Sequence, residues 1–355
     1  MLLARINHSF KKDYTLYPIR YLLYICSVIA KDIIVLLSQQ HKYSNKILTM
    51  TLKYGIIGSG AIGGYCGGKL AKAGKDVHFL FHSDYEFVKS NGLQINSVDG
   101  DFHLSEVNAY RNTKEMPKCD IVLVCLKSTN NGLLKEMLPP ILHKNTIVIL
   151  IQNGIGLESD LHKVFPDMNL AGGLAFICAS KNEPGHINHQ SLGKINIGDY
   201  SCKDISILKE AILDLNESGI DTKLVDYEEA RWKKAVWNIP FNGMTVVLNT
   251  TTDQLMANPN AEKLIHEMMI EVIEAAQHSG VKNIDSSFAD KTIAMTKAMP
   301  PYSPSMKLDY DYKRPIEIKY LYSRSIEEAK KNGYDMVKAE MLEKQLLFIE
   351  SQYLK

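Results

Sequence analysis

A short apolar run, Lys53 to Ile57, empties directly into Gly58-Ser59-Gly60-Ala61-Ile62-Gly63 and then into a helix-like stretch that ends at Gly74. Strand, glycine turn and helix in that order leave few folds open. The first glycine permits a tight turn, the second lets backbone approach a pyrophosphate, and the third lets the helix pack on the strand. The helix N-terminus adds free N–H groups and the positive end of its dipole. A second strand, Asp76–Phe81, follows on schedule. That context favours a dinucleotide site at Gly58, Ser59, Gly60, Ala61, Ile62 and Gly63 over an ordinary βα turn.

From Thr51 to about Asp226, strand-like runs alternate with amphipathic stretches, the pattern of a mostly parallel sheet with helices on its faces. The expected strands are Lys53–Ile57, Asp76–Phe81, Asp120–Leu126 and Thr146–Ile151. Asp99-Gly100 marks a hairpin turn within 93–104, and 170–179 with 185–197 read as antiparallel additions around Pro184-Gly185. From Glu228 onward helical periods dominate: 228–248, 261–279, 288–298, 315–332 and 336–353. The expectation is an α/β fold with two domains. A doubly wound Rossmann domain occupies residues 50–226 and binds the nucleotide, and an all-α domain at 227–355 carries substrate and chemistry.

With 355 residues, 45% of them apolar and 23% charged, both domains can bury a core, and a net charge of +1 offers no basic field for nucleic acid. Small-molecule chemistry is the default. The six cysteines (Cys26, Cys66, Cys119, Cys125, Cys178, Cys202) form no C-x-x-C or ligand cluster, and His186 with His189 lacks a third ligand. No metal is expected, and the thiols suit a reducing cytoplasm. Residues 1–49 stand outside the pattern. Arg20–Leu37 is apolar but divided by Lys31 and Asp32, too short and too charged for a membrane span. Residues 1–49 are expected to be an extension ahead of a natural start at Met50, or a loosely attached helix. The alternative is a membrane-associating segment.

Ligands of such sheets bind beyond the carboxyl ends of the strands, so the residues there are the candidates. After the second strand comes His82-Ser83, where an NAD site would place an acid on the ribose; none occurs until Asp84. That absence favours NADP over NAD, although no arginine stands there to receive a 2′-phosphate. After the third strand is Lys127, and after the fourth Gln152-Asn153-Gly154. In the helical half, Lys234, Asn238 and Asn242 are spaced i, i+4, i+8 and share one helix face beside Trp237 and Phe241. They read either as a ligand-facing stripe, an ammonium with two amides, or as a solvated lysine with two backbone-satisfying asparagines. Ser305 reads as a helix N-cap with Asp309 in the first turns, and Glu317 as a helix-surface acid or a site residue.

Taken together, these residues resemble the ketopantoate reductase (2-dehydropantoate 2-reductase) family, within the 6-phosphogluconate-dehydrogenase-like group. The resemblance runs from about Met50 to the C-terminus. It rests on Gly58–Gly63, Val124–Lys127, Gln152–Gly156, Pro184-Gly185 with Ile197-Gly198, Arg231–Lys234 with Asn238 and Asn242, Ser303–Met306 with Asp309, and Glu317. It implies a Rossmann domain followed by a helical one, and NADPH-dependent reduction of ketopantoate to pantoate in pantothenate and coenzyme A biosynthesis. It also implies roles: Lys234 as catalytic proton donor, Glu317 orienting substrate and lysine, and Asn153 at the lysine or the nicotinamide end of the cleft. Asn238 and Asn242 would bind the substrate hydroxyl and carbonyl, Ser305 its carboxylate, and Lys127 would sit by the cofactor. Family members occur as monomers and homodimers. The chain departs at His82, where many members carry arginine, and at Pro240, since some members place proline after the second asparagine. The alternatives carried beside this are a paralogue reducing another 2-oxo acid, a membrane-attached reductase, and a non-enzymatic NADP(H) redox sensor, which would have no use for Lys234, Asn238, Asn242 and Glu317 together.

Overall fold

The computed structural model describes residues 51–354, so the expectation for residues 1–49 lies outside the described residues. Its strands are β1 (Lys53–Ile57), β2 (Asp76–Leu80), β3 (Leu93–Ser97), β4 (Phe102–Leu104), β5 (Asn108–Tyr110), β6 (Ile121–Val124), β7 (Ile147–Ile151), β8 (Asn169–Glu183), β9 (His186–Asp199) and β10 (Asp221–Val225). They make one sheet ordered β4-β3-β9-β8-β7-β6-β1-β2-β5, with β10 on β9. From β5 through β2, β1, β6 and β7 to β8 every pairing is parallel, and β8 turns back antiparallel into β9. The chain lays β2 and β5 on one side of β1, with β3 and β4 formed between them at the far edge of the sheet, and then crosses to the other side of β1 at β6. That reversal creates a switch point between β1 and β6, the place where such sheets bind ligands.

Strands β6 and β7 are buried along their whole length and β1 along nearly all of it, as expected where both faces of a parallel sheet are covered. Ile56 packs with Phe79 and Tyr65 on one face, while its neighbour Ile57 packs with Val124, Leu150 and Leu157 on the other. Helix α1 (Ala61–Lys72) carries Gly63, Gly64, Gly67 and Gly68. Each glycine costs a helix about 1 kcal/mol relative to alanine. The offset is close approach to the sheet: a Cβ on Gly67 would lie 2.4 Å from the Phe79 ring.

Further helices of the sheet layers are α2 (Tyr85–Asn91), α3 (Leu134–Met137), α4 (Leu157–Val164) and α5 (Ile205–Glu217). No strand follows β10 among the described residues. The chain continues as α6 (Tyr227–Val247), α7 (Thr252–Ala257), α8 (Pro259–His278), α9 (Ser287–Lys297), α10 (Ser305–Asp311), α11 (Arg324–Lys331) and α12 (Val337–Ser351). Asp226 starts α6 by accepting a hydrogen bond from the Glu229 N–H (2.8 Å), with Glu228 and Glu229 at the positive end of the dipole. The helix runs through Pro240, and α8, α10 and α12 pack on it.

Two local expectations change. Residues 315–332 are not one helix: Arg314–Glu317 has no regular secondary structure, Lys319–Ser323 forms a π-helical turn, and only then does α11 begin. The wide turn has a tertiary cause, since the Tyr320 carbonyl accepts the Ile155 N–H at 2.9 Å. Ser305 is the first residue of α10 rather than its N-cap, a position held by Pro304.

Candidate active site

The glycine turn sits at the switch point. Gly58 has φ +93°, and a Cβ there would fall 2.6 Å from the Leu126 nitrogen, so only glycine lets β1 turn beside the end of β6. Gly60 behaves differently: a Cβ would meet no described atom within 4 Å. It opens α1 with no side-chain cap, and no acid stands in the first turn. Open space above uncapped N–H groups fits the pyrophosphate of a dinucleotide, held by the backbone of Gly58–Gly63. The Ser59 hydroxyl faces inward, donating to the Leu80 carbonyl (2.9 Å) and tying the turn to the end of β2. Of the expected cofactor contacts, Ser59 is thus left with its main chain.

Beyond β2, His82 and Ser83 are exposed and Asp84 is buried. Two Asp84 oxygens accept from the Lys181 ammonium (2.7 and 2.8 Å), and they accept also from the Gly185 N–H and the Ser83 hydroxyl. Burial alone would raise the Asp84 pKa, but Lys181 and these donors hold it below the ordinary carboxylate value. Lys181 belongs to the far end of β8, a contact that no sequence pattern announces.

At the end of β6, Lys127 reaches into the helical half. Its ammonium lies 2.7 Å from Asp309 and 3.6 Å from Glu317, and Arg314 holds the other Asp309 oxygen. Desolvation opposes the Lys127 charge, but Glu317 and Asp309 outweigh it and raise its pKa. Glu317 is buried, accepting from both the N–H (2.8 Å) and the hydroxyl (2.7 Å) of Ser128. It is not a helix-surface acid.

On α6, the Lys234 ammonium donates to the Ala175 carbonyl of β8 (2.5 Å) and lies 4.6 Å from the centre of the Phe176 ring. Burial first, and then the nearby Arg231 cation, push its pKa down to about 7 against the opposing pull of Glu317. One turn earlier, Arg231 is fully buried, bonded to Glu158 of α4 and, at 2.5 Å, to the Gln152 carbonyl. Tyr227 donates to the other Glu158 oxygen (2.6 Å). This group fixes Gln152, and with it the neighbouring Asn153, against the helix that carries Lys234. The sequence motif contained Arg231, but its partner Glu158 is 73 residues away and carried no signal.

The polar stripe on α6 divides. Both ends of the Asn242 amide are engaged, its nitrogen with the Asn238 carbonyl (3.0 Å) and its oxygen with the Met306 N–H (3.2 Å). Asn242 therefore seats the start of α10, with one amide hydrogen and one oxygen lone pair left over. The side chains of Asn153, Asn238 and Ser305 make no hydrogen bond to another described residue. An ammonium poised near neutrality with a clamped carboxylate close enough to act on it is chemistry suited to protonating a carbonyl oxygen, and the open amides and hydroxyl are groups suited to holding a small polar compound.

Comparison with known proteins identifies the family. The family model for ketopantoate reductase PanE/ApbA matches residues 54–201, and that for the ketopantoate reductase PanE/ApbA C terminal matches residues 226–350. A 2-dehydropantoate 2-reductase of Nostoc sp. is 42% identical over 306 residues, covering 84% of this chain and 96% of the relative. The crystal structure of 2-dehydropantoate 2-reductase from Geobacter metallireducens superposes with a TM-score of 0.81 at 35% identity, covering 84% of this chain and 99% of that one. The enzyme of the same name from Methylococcus capsulatus gives 0.77 at 30% identity, covering 86% and 98%. Sequence and fold converge on one conclusion: the chain belongs to the ketopantoate reductase family.

Proposed function

We propose that this protein catalyses the NADPH-dependent reduction of 2-dehydropantoate to (R)-pantoate, with Lys234 as proton donor. The observation that carries the reading is Lys234 itself, whose ammonium has the Ala175 carbonyl as its hydrogen-bond partner and a pKa of about 7. The name shared by the relatives at 42, 35 and 30% identity supports the substrate. When bound, reduced nicotinamide supplies a hydride to the ketone carbon. The chain's own residues do the rest. As negative charge grows on the ketone oxygen, the Lys234 ammonium stabilises it and delivers a proton, then regains one from water near neutral pH. Glu317, immobilised by Ser128, keeps a negative charge near that ammonium and orients it. Asn238 and Ser305 offer their open donors to the substrate hydroxyl and carboxylate, and Asn153 stands at the nicotinamide end. Asn242 acts by seating Ser305, and Lys127 by bridging the glycine-turn side of the cleft to Asp309.

NADPH rather than NADH is supported by the end of β2, where His82 and Ser83 are open and the carboxylate of Asp84 is already taken. A cytoplasmic location is supported by the free thiols of Cys66, Cys119, Cys125, Cys178 and Cys202. No helix among the described residues is long and apolar enough to cross a membrane. The test is NADPH oxidation with 2-dehydropantoate beside a panel of other 2-oxo acids. Lys234→Ala should lower kcat on the order of 10²–10⁴-fold while NADPH still binds. Normal turnover by that variant would end the mechanism, and selection of a different 2-oxo acid would reassign the substrate.

A further inference from the structure

Strand β8 leaves the parallel sheet after Gly173, its last residue paired with β7. Ala175 then receives Lys234, and six residues further on, roughly 20 Å along an extended strand, Lys181 reaches Asp84 beyond the end of β2. One strand thus spans from the catalytic lysine to the loop where a Rossmann site meets the adenosine ribose. At that loop the arginine expected of an NADP site is missing, and His82 stands in its place. We propose that Lys181, delivered by the β8–β9 hairpin, is the cation that selects the 2′-phosphate of NADPH, a reading that rests on the dinucleotide-dependent reductase proposed above.

The charges around the loop support this choice. A carboxylate just after β2 would repel a 2′-phosphate and welcome a ribose hydroxyl. Asp84 is that carboxylate, and it is closed off on three sides by Lys181, the Gly185 N–H and the Ser83 hydroxyl. The side chain of Lys181 is 27% exposed while that of Asp84 is 5% exposed, so the lysine is the more accessible partner of the pair. Arg111, just beyond β5, is a second cation by this loop, and it is stacked on Tyr85 and paired with Glu86 at 2.6 Å.

The test is calorimetric titration of the full chain with 2′,5′-ADP and with 5′-AMP, which carry the adenosine end alone. Lys181→Gln should weaken 2′,5′-ADP about 10-fold or more, the scale of one charge-assisted hydrogen bond, and leave 5′-AMP unchanged. Lys181→Arg should retain the preference, which separates charge from folding. Equal weakening of both ligands, or no change in either, would overturn the proposal. So would loss of 2′,5′-ADP binding in Arg111→Gln but not in Lys181→Gln. If the unmodified protein binds NADH and NADPH equally well, Lys181 is not a selector and the reductase reading survives; if it binds neither, both readings fall.

Discussion

A lysine that donates a proton must hold one at the working pH and give it up readily. Burial and Arg231 bring Lys234 to about pH 7, several units below the lysine norm. The sign of the pH dependence follows. Ketone reduction needs the ammonium, whose fraction falls tenfold per unit above pH 7, so kcat/KM should decline on the alkaline side. Oxidation of the hydroxy acid needs the free amine and should rise through the same region. Rates measured in both directions from pH 5.5 to 9.5 would check this, and a flat reduction profile would show that Lys234 is not the titrating donor. At this scale the sequence was most legible at the glycine turn, where Gly58 takes φ +93° and a Cβ on Gly60 would meet open space. It was least legible for Asn242 and Ser59, because whether a polar group faces a ligand or a backbone partner depends on neighbours far away in the chain.

Between elements, glycines separate space kept for a ligand from space used in packing. Gly60 has φ −80° and an open Cβ direction, whereas Gly154 has φ +111° and its Cβ would fall 2.4 Å from the Tyr320 oxygen. Gly60→Ala should therefore keep its melting temperature but bind NADPH about 10-fold or more weakly, since the methyl intrudes where a pyrophosphate would rest. Gly154→Ala should lose on the order of 1–3 kcal/mol of stability from strain and from the displaced π turn. Thermal melts and dinucleotide titrations of the two variants should show opposite patterns. Strands β1, β2, β6 and β7 were readable as apolar runs between breakers, and α6, α8 and α12 as 3.6-residue periods. Strands β5 and β10 were not, being short edge pairings whose existence is decided by β2 and β9. The interruption at Lys319–Ser323 left no mark either, because residues 315–332 keep a helical period straight through it.

Across the molecule, the α/β and helical halves are joined by charge as well as by apolar packing. Arg231 with Glu158, Lys127 with Asp309, Ser128 with Glu317 and Arg324 with Asp160 all cross the seam. Arg231 and Glu158 are both buried, so removing one leaves an uncompensated charge, a loss of about 3–5 kcal/mol. The full chain should show one dominant calorimetric transition for these halves, and Arg231→Met should lower it and separate it into two. A single unshifted transition in that variant would mean that apolar contact alone couples the halves. This joining could not be read from the sequence, which displays two patterns in succession and gives no sign of which charges meet between them.

The resting contact of Lys234 carries a consequence for how this enzyme can change. Its acceptor is the main-chain oxygen of Ala175, which every amino acid supplies equally. No point substitution at position 175 deletes it, so drift or design can alter the side chain there without disarming the lysine. Position 175 is therefore open to side-chain change without loss of that hydrogen bond, whereas its exposed neighbour Phe176, whose ring lies 4.6 Å from the same ammonium, is not.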